Sequence, residues 1–349
     1  MSQVLYQQRE FPVFQNKTYN SAQEARDCVK GDIVLIQDPH TGIVCNSAFD
    51  ASLMVYDEDY QNEQGLSSAF QDHLDQVAEI VAKTLGKTSL VEVGCGKGYF
   101  LERLIGQGFD VTGFDPAYEG NNPRIRCEAF SPGIIDQATG LILRHVLEHI
   151  QNPIDFLRSI AIANGGSGRI YIEVPCLDWI IARRAWFDIF YEHVNYFRIS
   201  DFSRWFGKVI EAGHLFGGQY LYAVVDLSSL RTEALTAEPV TLPSDFTFSA
   251  PALSHDVIGP RVIWGGSSKG VIFSLLMARA SLPIDIIIDI NPAKQGRFVA
   301  STGLRISSPE EALPQLPEGT PIYIMNSNYR EEICRMTQDR YTYIGIEHE

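Results

Sequence analysis

From residue 68 onward, short apolar strands alternate with helices, and this alternation restricts the fold more than any other feature of the chain. Phe70, Leu74, Val77 and Val81 recur at the spacing of one helical face. Beyond this helix, strands are predicted over 89–93, 109–114, 140–143, 169–174, 209–212 and 219–226, with helices over 99–105 and 153–163. Strands that alternate with helices form βαβ units with a parallel, buried sheet. The sequence therefore predicts a Rossmann-like, doubly wound α/β domain.

The alternation stops after residue 230 and restarts near residue 261. Pro239, Pro243 and Pro251 interrupt the segment between, which is typical of a linker. A strand over 261–264, a glycine turn, a helix and later strands over 284–289 and 321–325 predict a second, smaller Rossmann-like α/β unit. We therefore expect four parts: an N-terminal lead-in region over 1–67, the large α/β domain over 68–230, a linker over 231–255 and a C-terminal domain over 256–349.

Charge and composition exclude several classes of partner. The chain has 28 Lys and Arg against 43 Asp and Glu, a formal net charge of −15, and no basic cluster, which disfavours nucleic acid. No apolar stretch has the length of a membrane span, and the first residues do not resemble a signal peptide. The six cysteines are scattered, as in buried reduced thiols. We expect a cytoplasmic protein without nucleic-acid or membrane partners.

The first glycine turn points to a ligand site. Gly94, Gly96 and Gly98 follow a predicted strand and precede a helix, where bare backbone and free N–H groups can approach a ligand. A dinucleotide fingerprint would need its third glycine at Tyr99. Instead, Glu92 precedes the turn, and a carboxylate there would repel a diphosphate but suit an ammonium or a sulfonium group. The turn therefore favours a ligand that is cationic at one end.

Asp115 ends the next strand, where an acid can accept hydrogen bonds from ribose hydroxyls. Glu92, the glycines and Asp115, in this order, resemble the class I S-adenosylmethionine-dependent methyltransferases. The resemblance implies that these residues, with Cys95 inside the turn, bind S-adenosylmethionine. It also implies that the segment His145-Val-Leu-Glu-His149 lies beside the methionine part of the cofactor, with His145 nearest. An alternative interpretation of Glu148 and His149 is a helix-capping pair that faces solvent.

An aromatic segment follows the strand over 169–174. Its centre, Tyr191-Glu-His-Val-Asn-Tyr-Phe197, resembles a segment of the nucleotide-sugar C-methyltransferases of deoxysugar pathways. The resemblance implies catalytic roles for Tyr191, Glu192 and His193, and a substrate contact for Tyr196. In that family the histidine is the proposed base, which removes a proton α to a sugar keto group, and the enolate then takes the methyl group. A purely structural role, as core aromatics around a hydrogen-bonded histidine, stays open.

The C-terminal part resembles the last domain of the same family in three segments, over 264–270, 289–296 and 325–333. The resemblance implies that Lys269 and Asn326 bind substrate, although the turn over 265–270 could equally be structural. Tyr60 matches a family tyrosine that faces the substrate, or else it is a surface residue. The N-terminal region departs from the family, because the paired cysteines of its zinc domain are missing. We predict no metal.

The sequence thus predicts C-methylation of a nucleotide-linked sugar in carbohydrate biosynthesis. One alternative is O-methylation of a saccharide or a related metabolite, since the same imidazole can deprotonate a hydroxyl. An alternative from another class is an NAD(P)-binding oxidoreductase or sensor that uses the C-terminal unit. Tyr99 and the imperfect second glycine turn weigh against it.

Overall fold

The computed structural model describes residues 3–55, 65–247 and 259–347. The N-terminal residues form an antiparallel sheet. Its first three strands are β1 (Val4–Pro12), β3 (Lys30–Gln37) and β4 (Val44–Asn46), while β2 (Thr18–Tyr19) and helix α1 (Ala22–Arg26) lie between β1 and β3. The fourth strand of this sheet, β10 (Asn195–Tyr196), comes from much later in the chain and pairs with β4.

The central sheet has seven strands, in the order β11-β12-β9-β8-β5-β6-β7. Their bounds are Leu90–Val93 (β5), Val111–Phe114 (β6), Ile125–Arg126 (β7), Gly140–Arg144 (β8), Arg169–Pro175 (β9), Val209–Leu215 (β11) and Tyr220–Asp226 (β12). Strands β5 to β9 of this sheet are parallel, and β12 is antiparallel to both of its neighbours. Their side chains are mostly buried on both faces, as expected when helices cover a parallel sheet.

The helices of this part are α2 (Ser68–Thr84), α3 (Tyr99–Gly106), α4 (Pro153–Ala163), α5 (Leu177–Ala182) and α6 (Ile199–Trp205). Helix α2 begins where the Ser67 hydroxyl accepts a hydrogen bond from the Phe70 amide, and α4 begins with proline at its first position. The buried side of α2 carries Phe70, Leu74, Val77 and Val81, which are the residues that the periodicity selects.

The C-terminal residues form a parallel five-stranded sheet in the order β16-β14-β13-β17-β18. Its elements are β13 (Val262–Trp264), α7 (Lys269–Arg279), β14 (Ile286–Ile288), β16 (Ile306–Ser307), α8 (Pro309–Ala312), β17 (Pro321–Ile324), α9 (Arg330–Met336) and β18 (Thr342–Gly345). Strand β15 (Phe298–Val299) pairs with β2 of the N-terminal region. One buried cluster joins Phe11 of β1, Trp186 and Phe273 of α7.

The fold class is confirmed: the chain is α/β, with a Rossmann-like central sheet and a second α/β sheet. Strand β12 departs from the parallel arrangement, because the short connection after β11 reverses the chain into a hairpin. The domain boundaries remain predictions, and β10 shows that the N-terminal sheet takes a strand from the region over 68–230. Within the described ranges, no helix combines the length and the apolar character that crossing a bilayer requires.

Candidate cofactor and acceptor pocket

A cavity of about 410 Å³ lies between the carboxyl ends of the parallel strands of the central sheet and those of the C-terminal sheet. Loops that follow parallel strands are the usual ligand-binding positions of doubly wound folds. The loops after β5, β8, β13, β14 and β17 all contribute, together with the aromatic segment before β10. The polar residues in the lining include Glu92, Arg144, His145, Glu148, His149, Asp188, His193, Lys269, Asp289, Lys294 and Asn326.

The first glycine turn follows β5 and forms one wall. Gly94, Gly96 and Gly98 all have positive φ, at 71°, 54° and 84°, which a side chain disfavours. A β-carbon on Gly94 would lie 2.4 Å from Val146, so this position has no room for one. Gly94, Cys95 and Gly96 line the cavity, whereas Gly98 caps helix α3 and packs toward Ile125.

Glu92 is 3% exposed and lines the cavity at the end of β5. Its Oε2 atom has no hydrogen-bond partner in the described parts of the chain. Burial raises the pKa of this carboxyl to about 8, with Asp115 adding to the rise and Arg144 opposing it. A buried carboxylate oxygen without a partner fits a ligand that brings a positive charge. Asp115 itself does not line the cavity, and its Oδ2 accepts a hydrogen bond of 2.7 Å from the Gly96 amide.

His145 directly follows β8, and two carboxylates hold its side chain in position. Its Nε2 lies 3.1 Å from Glu173 and its Nδ1 lies 3.3 Å from Glu148. Burial lowers the pKa of His145, but the hydrogen bonds to Glu148 and Glu173 outweigh it and raise this pKa to about 9. Its ring packs edge-on against Tyr220, with centroids 4.6 Å apart. The side chain therefore presents a positive charge to the cavity wall.

His193 lines the cavity from the loop before β10. Its ring lies edge-on to His149 and to Phe190, with centroids 5.1 and 4.9 Å away. Among the described residues no group bonds its Nδ1. Burial and the neighbouring His149 lower the pKa of His193 to about 3, which leaves the ring neutral with a lone pair that can accept a proton. The expectation of an ordinary pKa near neutrality is therefore wrong, because the site is buried.

The other residues of the motif Tyr191–Phe197 do not line the cavity. The Tyr191 hydroxyl accepts a hydrogen bond of 2.9 Å from the Asp50 amide, on the side of the N-terminal sheet. Glu192 is buried and accepts a hydrogen bond of 3.3 Å from the Gln15 amide. The Tyr196 hydroxyl donates to the Phe190 carbonyl at 3.0 Å. Tyr60 lies outside the described residues.

The C-terminal unit supplies the opposite wall. Lys269, at the start of α7, is buried, and its ammonium lies 3.3 Å from the Asp188 carboxylate and 4.9 Å from the centre of the Trp179 ring. Lys294 donates to the Ser267 hydroxyl at 2.6 Å. The Asn326 amide donates to Gln219 at 2.8 Å. Lys269 and Asn326 thus share one cavity with Glu92 and His193.

The prediction of site residues missed several groups, among them Arg144, Asp188 and Lys294. The solvent-facing alternative for Glu148 is wrong, since this side chain is 1% exposed and lines the cavity. Arg144 was detectable in principle, because it directly follows the predicted strand over 140–143. Asp188 gives no comparable signal, because it belongs to a short helical turn within the aromatic segment.

The wall formed by the first glycine turn belongs to a region that matches a known family model. Residues 64–209 match the model described as "Methyltransferase domain". No curated protein sequence matches the chain.

Solved structures of several methyltransferases are similar to part of this chain. The methyltransferase domain of bacterial CtHen1 is 16% identical, with 45% of this chain and 99% of that chain covered and a TM-score of 0.36. The 1,6-didemethyltoxoflavin-N1-methyltransferase of Burkholderia thailandensis is 15% identical, with coverages of 49% and 82% and a TM-score of 0.33. N-methyltransferase NodS of Bradyrhizobium japonicum WM9 is 13% identical, with coverages of 45% and 96% and a TM-score of 0.33.

The family match supports the expectation of S-adenosylmethionine as cofactor, and the matched residues contain the whole first glycine turn with Glu92 and Asp115. The matched region also contains His145 and His193, so the first glycine turn and the candidate proton acceptor both belong to it. Residues 64–209 thus match a methyltransferase domain, and this match supports a methyltransferase enzyme.

Proposed function

We propose that the enzyme transfers the methyl group of S-adenosylmethionine to a carbon atom of a nucleotide-linked keto sugar. One observation carries this proposal: a single cavity joins the glycine turn after β5, the imidazole of His193 and the lysines of the C-terminal unit. Its three walls correspond to the three things that the reaction needs, which are a cofactor site, a proton acceptor and a site for the nucleotide diphosphate.

Glu92 and the glycine turn would hold the cofactor. The unpartnered Oε2 of Glu92 suits the ammonium of the methionine part, and Asp115, which follows β6 and accepts a hydrogen bond from the glycine turn, would accept hydrogen bonds from the ribose hydroxyls. When bound, S-adenosylmethionine supplies an electrophilic methyl group on a sulfonium. His145, which is cationic, can pair with the cofactor carboxylate.

His193 would take the proton from the carbon next to the keto group. Its neutral ring has a free lone pair, and the edge-on rings of His149 and Phe190 hold its orientation. Removal of this proton leaves an enolate, whose carbon can attack the methyl group. An anionic substrate in the cavity would raise the pKa of His193 and so improve it as a base.

Lys269 and Lys294 support the nucleotide part of the substrate. Each ammonium carries three N–H donors, and each has one carboxylate near it, Asp188 at 3.3 Å and Asp289 at 3.6 Å. Donors therefore remain for phosphate oxygens. Gly270 lets the start of α7 pack closely against the second glycine turn, because a β-carbon there would lie 1.9 Å from the Gly265 carbonyl oxygen.

The test is turnover of a panel of nucleotide keto sugars with methyl-labelled S-adenosylmethionine. We expect a product that keeps its label through mild acid and shows a new carbon-bound methyl group by NMR. A label on oxygen would instead establish O-methylation of a saccharide, the alternative on the same scaffold. Thermal stabilisation by NAD(P) but not by S-adenosylhomocysteine would point to the oxidoreductase or sensor.

His193→Gln tests the base. We expect turnover to fall about 10²- to 10⁴-fold, because general-base catalysis contributes about that much, while the cofactor Kd stays the same. His40→Asn is the matched control, since His40 is exposed and is not part of the cavity lining. Turnover at the wild-type rate in His193→Gln would remove His193 from this role.

A further inference from the structure

Three side chains that could act as metal ligands meet at the acceptor end of the cavity. Glu148 and His149 belong to the short helical turn after β8, and His193 comes from the loop before β10. The ligand atoms that they offer all lie within 4.8 Å of one another. Chain segments more than 40 residues apart therefore converge on one point that lines the cavity.

The polar atoms of this cluster are unusually poor in partners. Glu148 is 1% exposed, and its Oε2 has no hydrogen-bond partner within the described part of the protein. Nδ1 of His193 also has no hydrogen-bond partner among the described residues. His149 donates its Nδ1 proton to the Glu192 carbonyl at 2.9 Å, which fixes the neutral tautomer that leaves a lone pair on Nε2. Buried lone pairs without donors are costly, and a cation would satisfy them.

We propose that Glu148, His149 and His193 bind a divalent transition-metal ion such as Zn²⁺ or Co²⁺. Two imidazoles and one carboxylate suit these ions rather than Mg²⁺ or Ca²⁺, which prefer oxygen ligands. In a tetrahedral site with metal–ligand distances of about 2.1 Å, ligand atoms lie roughly 3.4 Å apart, so small side-chain rotations close the cluster around the ion. A fourth position then opens toward the cavity.

The surroundings of the three ligands match those of metal-binding side chains in general. The Glu192 carbonyl holds the His149 ring, as backbone carbonyls commonly hold metal-bound histidines. His145 donates toward Oε1 of Glu148 at 3.3 Å, which orients the carboxylate and leaves Oε2 for the ion. Phe190 packs against the His193 ring and limits its movement.

The consequence for turnover rests on the proposed function. If His193 removes the substrate proton, a metal ion on its lone pair prevents that step. The cluster then acts as an inhibitory site, at which a metal ion and the methyl acceptor exclude each other. The inference about binding does not depend on this consequence.

Binding is tested with the purified full chain, stripped of metal and titrated with Co²⁺. We expect one equivalent to bind with a visible absorption spectrum of nitrogen and oxygen ligands, without the intense charge-transfer band of a thiolate. Glu148→Gln and His149→Asn should each weaken the affinity at least tenfold, while His40→Asn and Cys127→Ser, both at exposed positions, should not. Circular dichroism verifies that each variant is folded. Absence of binding, or equal affinity in folded variants of both ligands, would overturn the assignment.

Activity separates the two proposals. Addition of Zn²⁺ to the stripped enzyme should reduce turnover over the concentrations that fill the site, and a chelator should restore it. Zn²⁺ that binds at the three residues and activates a stripped, inactive enzyme would refute the role of His193 as base, while the metal site would stand. Zn²⁺ inhibition that is the same in wild type and in Glu148→Gln would refute the inhibitory site.

Discussion

The carboxylate of Glu173 lies 3.1 Å from Nε2 of His145, and this contact connects a fully buried acid with the wall of the cavity. Arg144 donates to the same carboxylate at 3.1 Å and His73 of helix α2 lies 2.9 Å from it. His145 has a φ of 51°, which is uncommon for a residue with a β-carbon. Glu173 thus holds the side chain of His145, whose backbone conformation is unusual, and also connects helix α2 to the central sheet.

Glu173→Gln should lower the free energy of unfolding by about 3–5 kcal/mol, because it leaves Arg144 buried without a counter-charge. Urea denaturation measures the change. Glu211→Gln is the control: Glu211 pairs with the exposed Lys83 at the surface, where such pairs contribute about 1 kcal/mol or less. Similar losses in the two variants would contradict the structural importance of Glu173.

Gly96→Ala should weaken binding of S-adenosylmethionine at least tenfold. No atom of the described protein lies within 4 Å of the position of its β-carbon, and Gly96 lines the cavity, so the added methyl group would occupy ligand space. Gly86→Ala carries the same backbone strain of about 1–2 kcal/mol, since its φ is 84°, but lies outside the cavity lining. Calorimetry should find its cofactor affinity unchanged. Equal affinities of the two variants would mean that the turn does not contact the cofactor.

Glu92 gives a pH-dependent prediction. Burial raises its folded-state pKa from 4.5 to about 8, so the stability it contributes is fully present below the unfolded pKa and is lost as the pH rises through about 8. The stability of the wild type relative to Glu92→Gln should therefore fall between about pH 5 and pH 8. A saturating cationic cofactor should flatten this slope, because it favours the ionised carboxylate. Denaturation curves across this range, with and without cofactor, provide the measurement. A slope that is the same in both proteins would show that Glu92 is ionised when folded.

The periodic parts of the fold were predictable because local pattern determines them. The helices over 68–84 and 153–163 and the strands β5, β6, β8 and β9 follow from the spacing of apolar residues and from caps such as Ser67, whereas the two-residue strand β7 was not predicted. The antiparallel β12 and the pairing of β10 with β4 were not, because the choice of a strand partner depends on contacts distant in sequence. The local pattern of apolar residues predicts which segments form strands, whereas tertiary packing determines which strands pair with each other.

Much of the candidate site was predictable for a related reason. Residues directly after parallel strands, such as Glu92 and His145, come together at one edge of the sheet whatever the details of packing. Within the aromatic motif, only His193 lines the cavity, while Tyr191 and Tyr196 turn to other partners. A continuous motif in a loop does not reveal which side chains face the ligand. The cluster of Glu148, His149 and His193 gives no local spacing signal, because His193 lies more than 40 residues after the other two.

The pairing of β10 with β4 has a practical consequence for exchanging segments between related enzymes. Asn195 and Tyr196 of β10 lie two and three positions after His193, so the N-terminal sheet supports the backbone on which this imidazole stands. A chimaera that replaced the first 46 residues alone would alter that support while changing only Asn16 among the residues that line the cavity. Grafts of new acceptor specificity should therefore carry the aromatic loop and the N-terminal strands from the same parent.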